Sequence, residues 1–136
     1  MLIPENLIYT RDHQWILRDQ DPVLVTVGMT DFFQSRMEEI IYLERPPEGE
    51  TILAEEPLFL IESGKTVYEF ISPLSGVLRE INVMVVENPG IINTDPYGKG
   101  WLIKVAVDDA SWDTFLSPGR YRDYAGSFTY PLPPAT

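Results

Sequence analysis

Short runs rich in β-branched and aromatic residues, broken by Gly, Pro, Ser or Asp, dominate the hydrophobic pattern of the chain. Residues 22–27 are followed by Gly28, and residues 40–44 stop at the turn cluster Pro46-Pro47-Glu48-Gly49. Further runs cover 58–62, 67–71, 76–83 and 101–107. Runs of strand length with turn signals between them predict an all-β sandwich or barrel. Helical periodicity is sparse. Thr30 or Asp31 can cap a short helix through Phe32, Phe33, Arg36 and Met37. A second helix is expected over 108–116, where Ala110, Trp112, Phe115 and Leu116 can share a face. Ser117-Pro118-Gly119 should break it, with one more turn over 121–124. The expected fold is all-β dominated, with short flanking helices. One domain spans residues 1–127, and the Pro-rich tail 128–136 has too little apolar surface to order itself.

Composition narrows the chemistry. A chain of 136 residues can bury a real core. It has no cysteine, which removes disulfides, thiolate nucleophiles and cysteine-based metal sites together. A net charge of −11 repels phosphate backbones, so no nucleic-acid partner is expected. The same charge favours salt-sensitive docking to basic patches on other proteins, and equally serves solubility. The opening Met1-Leu2-Ile3-Pro4-Glu5 lacks the basic patch and apolar run of a secretory signal. No apolar run approaches the roughly 20 residues of a membrane span, so a cytoplasmic protein without a membrane partner is expected.

Several motifs fall away on their own chemistry. Gly64-Lys65-Thr66 copies the end of a phosphate-binding loop, but Phe59 stands where that loop needs Gly. His13 is the sole histidine, which rules out a histidine-pair metal site and favours a hydrogen-bonded packing role beside Trp15. Leu74-Ser75-Gly76 lacks the nucleophile-elbow pattern. Adjacent acids at 38–39, 55–56 and 108–109 read as solvated charge. No constellation for a stand-alone enzyme emerges.

The most informative stretch is 58–71, two β-prone runs flanking Ser63, Gly64, Lys65 and Thr66. Gly64-Lys65 fits a two-residue hairpin loop of type II′, with Gly at its first central position. That places Lys65 at the tip of a tight turn, facing solvent. A lysine so placed is ordinarily no more than a solvated charge, but a carrier arm needs the same combination of rigid base and exposed nitrogen.

The order of motifs along the chain decides between those two readings. Tyr9-Thr10-Arg11-Asp12-His13-Gln14-Trp15, then 27–34, then Glu62-Ser63-Gly64-Lys65, then 72–76, 88–90 and 92–104 follow one another at spacings that resemble the H-protein family of the glycine cleavage system. The resemblance runs from about Tyr9 to Tyr124. It implies a flattened, lipoyl-domain-like β barrel or sandwich (a barrel-sandwich hybrid) and a lipoate cofactor in amide linkage to Lys65. Glu62, Ser63, Gly64 and Thr66 would form the recognition turn for a lipoate ligase or lipoyl transferase. The protein would be a non-catalytic carrier whose arm is loaded, unloaded and reoxidised by other enzymes.

Departures from the family bear on cargo. Gln14 stands where the family usually has Glu, and Glu69 where it has Asp, both near the cleft that shelters the loaded arm. Arg36 replaces a His or neutral residue, Glu38 a Gly, Gly64 a Val and Thr66 an Ala. With Gln14, Arg36 and Glu69 as the arm cleft, an anionic cargo is slightly favoured over an ammonium. The leading expectation is therefore an H-like carrier in sulfur oxidation with heterodisulfide-reductase-like partners. The alternative is an orthodox H protein carrying an aminomethyl group between glycine decarboxylase and aminomethyltransferase, with dihydrolipoyl dehydrogenase reoxidising the arm. An unmodified interaction module is the alternative of another class.

Overall fold

The computed structural model describes residues 1–18, 24–108 and 112–127. Two antiparallel sheets face one another across a shared hydrophobic core. The larger is ordered β1 (Ile8–Tyr9), β2 (Gln14–Arg18), β3 (Leu24–Met29), β9 (Ile103–Val107), β8 (Gly76–Ile81) and β5 (Thr51–Ile52). The smaller sets β6 (Pro57–Ser63) between β4 (Ile40–Leu43) and β7 (Val67–Ile71). The predicted sandwich is observed.

Alternation fixes which face is buried. On β9, Ile103, Val105 and Val107 point into the core while Lys104 and Ala106 are half-buried; on β6 the inward set is Phe59, Ile61 and Ser63. Phe59 and Phe70 stack across the β6–β7 hairpin with centroids 4.4 Å apart. Each side chain of this kind contributes about 1.5–3 kcal/mol by leaving water. Strand β3 departs from alternation, with every residue from Val25 to Met29 buried. Gly28 is needed there, because a Cβ would sit 2.5 Å from the Trp15 indole on the neighbouring strand.

The predicted first helix is α1 (Asp31–Met37), with Thr30 as its cap: the Thr30 hydroxyl accepts the Phe33 N–H at 3.3 Å. Other expectations need correction. The run 76–83 is not all strand. β8 ends at Ile81, where Asn82 donates to the carbonyls of Lys99 and Trp101 at 2.8 and 2.7 Å, and Val83 opens α2 (Val83–Glu87), followed by α3 (Ile91–Thr94). Ser117-Pro118-Gly119 starts a helix rather than breaking one. Ser117 accepts the Arg120 N–H, and Pro118 lies in the first turn of α4 (Pro118–Gly126), where its missing N–H costs nothing.

Residues 109–111 of the helix expected over 108–116 lie outside the described residues. Its described part holds a single 3-10 turn, Trp112–Thr114, after which Leu116 exchanges backbone hydrogen bonds with Tyr9 at 2.7 and 2.9 Å. The Pro-rich tail 128–136 also lies outside the described residues. No helix among the described residues is long and apolar enough to cross a membrane.

Candidate functional site: the hairpin lysine and its surroundings

β6 and β7 are paired up to Glu62 opposite Val67, leaving Ser63 to Thr66 as the connection. The Ser63 N–H donates to the Thr66 carbonyl at 2.9 Å, and the Ser63 hydroxyl accepts the N–H groups of Lys65 and Thr66, each at 3.3 Å. The turn is not type II′. The positive-φ glycines among the described residues are Gly49 and Gly76, and Gly64 is not one of them. The physical reason is Ser63, whose buried hydroxyl satisfies two turn N–H groups and so closes the loop without a left-handed residue. A Cβ on Gly64 would meet nothing within 4 Å, so this glycine leaves open space beside Lys65 rather than enabling the turn. The Thr66 hydroxyl oxygen is buried without a hydrogen-bond partner, directly after the lysine. Lys65 itself stands at the tip, its side chain 46% exposed. Glu62 is half-buried on β6.

Lys65 is ion-paired. Its Nζ lies 3.2 Å from Oε1 of Glu38, the residue that ends α1. Glu38 has φ 63° and ψ −147°, a region that essentially only glycine occupies and that costs another residue about 1–3 kcal/mol. An exposed ion pair returns about 0–1 kcal/mol. The conformation persists because the backbone is clamped from two sides. The Glu38 N–H donates to the Gln34 carbonyl at 3.0 Å, and Asn93 of α3 donates to the Glu38 carbonyl at 2.6 Å while accepting the Ile40 N–H at 2.9 Å. Strand β4 then shifts register against β6 between Ile40 and Tyr42, which leaves Ile41 58% exposed. The end of α1, this irregularity and the lysine turn enclose a shallow cavity of about 230 Å³ lined by Met37, Glu38, Glu39, Ile41, Gly64 and Lys65. In the sequence Glu38 stands out as a departure from glycine and as half of an acidic pair that reads as solvated charge, not as a partner of Lys65. Asn93 carried no signal of its own.

The three expected cleft residues are placed differently. Gln14 is fully buried on β2, donating to the Ile71 carbonyl at 2.6 Å and accepting the Thr10 hydroxyl at 3.0 Å. It lines a cleft of about 370 Å³ with Thr10, Arg11, Asp12 and Glu55, whose lining does not include Lys65. The Arg36 guanidinium lies over the Phe32 ring, 4.7 Å from its centroid, and Glu69 is half-buried on β7 opposite Leu60. Gln14→Glu is expected to destabilise the protein at neutral pH by about 1–3 kcal/mol, because an ionised carboxylate cannot donate to the Ile71 carbonyl. The protonated acid can, so folding raises this carboxyl's pKa. The deficit should be smallest below about pH 4.3 and widen as pH rises, which thermal midpoints of parent and variant at pH 4 and 7.5 will show.

Tyrosines brace the loop before β2. The hydroxyls of Tyr68 and Tyr124 donate to the carbonyls of Asp12 and Arg11 at 3.1 and 2.9 Å. His13 is buried with a left-handed backbone (φ 63°), its Nδ1 3.0 Å from the Tyr121 hydroxyl, which in turn lies 2.7 Å from that of Thr30. The ring stacks on Phe32 and Tyr124, at 4.6 and 5.7 Å. Burial, and then the charge of Arg36, push its pKa down to about 4. It is a neutral, hydrogen-bonded packing residue, with these rings as its stacking partners.

A two-sheet sandwich that holds a lysine at the tip of a serine-closed hairpin is the arrangement that the resemblance to lipoyl-domain-like carriers implies. Similarity to known proteins agrees. The family described as glycine cleavage H-protein matches residues 7–125. The chain is 39% identical over 127 residues to the glycine cleavage system H protein of Chlorobium limicola, covering 93% of this chain and 99% of the relative. It is likewise 39% identical over 121 residues to that of Carboxydothermus hydrogenoformans, covering 88% and 92%. A crystal structure of a glycine cleavage system H protein from Mycobacterium marinum superimposes with a TM-score of 0.75 at 36% identity, over 91% of this chain and 97% of that one.

The chain belongs to the glycine cleavage H-protein family, whose members carry a lipoate covalently on a lysine. These relatives bear the glycine cleavage name, so the two pathway readings change places. The orthodox reading stands first, and the sulfur-oxidation reading with heterodisulfide-reductase-like partners gains no support from them.

Proposed function

We propose that this protein is the lipoyl carrier of a glycine cleavage system, with lipoate in amide linkage to Lys65. The observation that carries the reading is the turn itself: Ser63 fixes the backbone at Lys65 by two hydrogen bonds, while the lysine side chain projects half-exposed beside the open space at Gly64. That base suits an amide-linked arm, being rigid where the arm begins and uncovered where it must move. When bound, the lipoyl group supplies a dithiolane that accepts and gives up an aminomethyl cargo. The chain's own part is to hold the arm's root and raise its local concentration at a docked enzyme. Glu62, Ser63, Gly64 and Thr66 shape the turn that a lipoate ligase or lipoyl transferase reads. Glycine decarboxylase, aminomethyltransferase and dihydrolipoyl dehydrogenase are the enzymes served, and the carrier performs no catalysis. Of the expected cleft residues, Glu69 is the one whose charge suits an ammonium cargo, Arg36 stays over the Phe32 ring, and Gln14 acts as a brace between the segment preceding β2 and the end of β7.

Intact-mass measurement after incubation with lipoate, ATP and a lipoate ligase tests this. One lipoyl unit should be gained, and fragmentation should place it on Lys65. An adduct on another lysine, or none with ligases that modify an established H protein, would overturn the assignment.

A further inference from the structure

We infer that Glu38 is a positioning residue for lipoyl attachment, docking the unmodified Lys65 ammonium on the α1–β4 side of the hairpin and letting go once the amide forms. This rests on Lys65 being the attachment site. Three observations converge. The carboxylate is in ion-pair contact with Nζ at 3.2 Å although it comes from a different element. Its backbone lies in a glycine-type conformation, so a side chain is kept here against a conformational cost larger than an exposed ion pair returns. The Asn93 clamp ties that backbone to β4, and so fixes the root of the Glu38 side chain relative to the strand that pairs with β6.

A free lysine on a turn samples many rotamers, and an acyl-transferring enzyme must freeze one of them. Glu38 narrows the set in advance to those with Nζ on the cavity side, beside Ile41 and Met37. Attachment from an acyl adenylate then proceeds with ordinary balance. The ammonium gives one proton to solvent, and the nitrogen lone pair forms the C–N bond. The acyl C–O bond breaks with its electrons leaving on AMP, and a second proton departs from nitrogen. The product amide is uncharged, so the attraction to Glu38 ends and the arm is released. The pair thus belongs only to the unmodified chain.

Steady-state lipoylation of the full chain by a lipoate ligase, with lipoate and ATP, separates this from a structural role. Glu38→Gln keeps the size and the backbone demand but loses the charge. At low ionic strength it should raise the KM for the carrier by about three- to fivefold with kcat within about twofold, an effect that fades by about 0.5 M salt. Glu38→Asp should recover part of the loss. Glu38→Gly should show the same KM defect while its thermal midpoint rises above the parent's, because the strained conformation suits glycine. Parental kcat/KM in Glu38→Gln, a defect in kcat alone, or a defect indifferent to salt would each overturn the inference while leaving Lys65 as the attachment site. Absence of an adduct on Lys65 of the parent would remove the attachment reading, and this inference with it.

Discussion

Lys65→Arg will fold like the parent, take no lipoyl group and lose glycine–bicarbonate exchange with a glycine decarboxylase down to the background of the assay. The guanidinium stays protonated at any working pH and offers no nucleophilic lone pair, so no amide can form. It keeps the positive charge, and with it the attraction to Glu38 across the 3.2 Å contact that Lys65 makes. The side chain is half-exposed and the turn is closed by Ser63 through backbone N–H groups that arginine also has. Stability should therefore change by less than about 0.5 kcal/mol. Intact mass, a thermal melt and the exchange assay on one preparation are sufficient. Exchange above background by a well-folded Lys65→Arg would show that the arm is rooted elsewhere, whereas a fallen midpoint would show that Lys65 serves the fold.

Much of the architecture was legible because β-branched runs bounded by turn residues leave few alternatives. β7 begins and ends where its run does, and β4, β6 and β9 differ from theirs by a residue or two at an end. The errors fall where local chemistry competes with pattern. Val83 reads as the end of a β-prone run, yet the Asn82 side chain before it satisfies two distant carbonyls where the chain turns into a helix. Ser117-Pro118 reads as a breaker inside a helix and as a cap-plus-first-turn pair at the start of one; the difference depends on what precedes it. β1, only two residues long, has no pattern to read.

The site was legible only in part, for a related reason. Lys65 and its neighbours are contiguous, so order along the chain exposes them. The Glu38 contact spans 27 residues and depends on an irregular pairing in β4 and on Asn93, from a third element. Gln14 poses the opposite difficulty. Loss of a carboxylate relative to the family reads as a change of cargo chemistry, but its amide is committed to the Ile71 carbonyl and the Thr10 hydroxyl. Burial and partners decide what a substitution means, and neither is written in one sequence.

The second large effect is acid sensitivity, and it comes from His13. The folded pKa of about 4 lies below the unfolded value near 6.5. Above pH 6.5 the ring is neutral in both states and contributes no pH dependence. Between 6.5 and 4 the unfolded chain takes up a proton that the folded chain refuses, so stability falls as pH falls, by about 3 kcal/mol over the whole interval. For a chain of this size that corresponds to roughly 10 °C in thermal midpoint. Asp12 next to it works in the opposite direction. Burial and then Glu55 raise its carboxyl, which adds stability as that group protonates at lower pH and partly offsets the His13 effect there. His13→Asn suits the left-handed backbone and does not titrate in this range. It will be less stable than the parent at pH 7.5, having lost the stacking on Phe32 and Tyr124. Its midpoint should nevertheless change little between pH 7.5 and 5, where the parent's drops steeply. Parallel profiles for the two proteins would mean that His13 accepts its proton in the folded state, and that the enclosure formed by Phe32, Tyr121, Tyr124 and Arg36 does not exclude it.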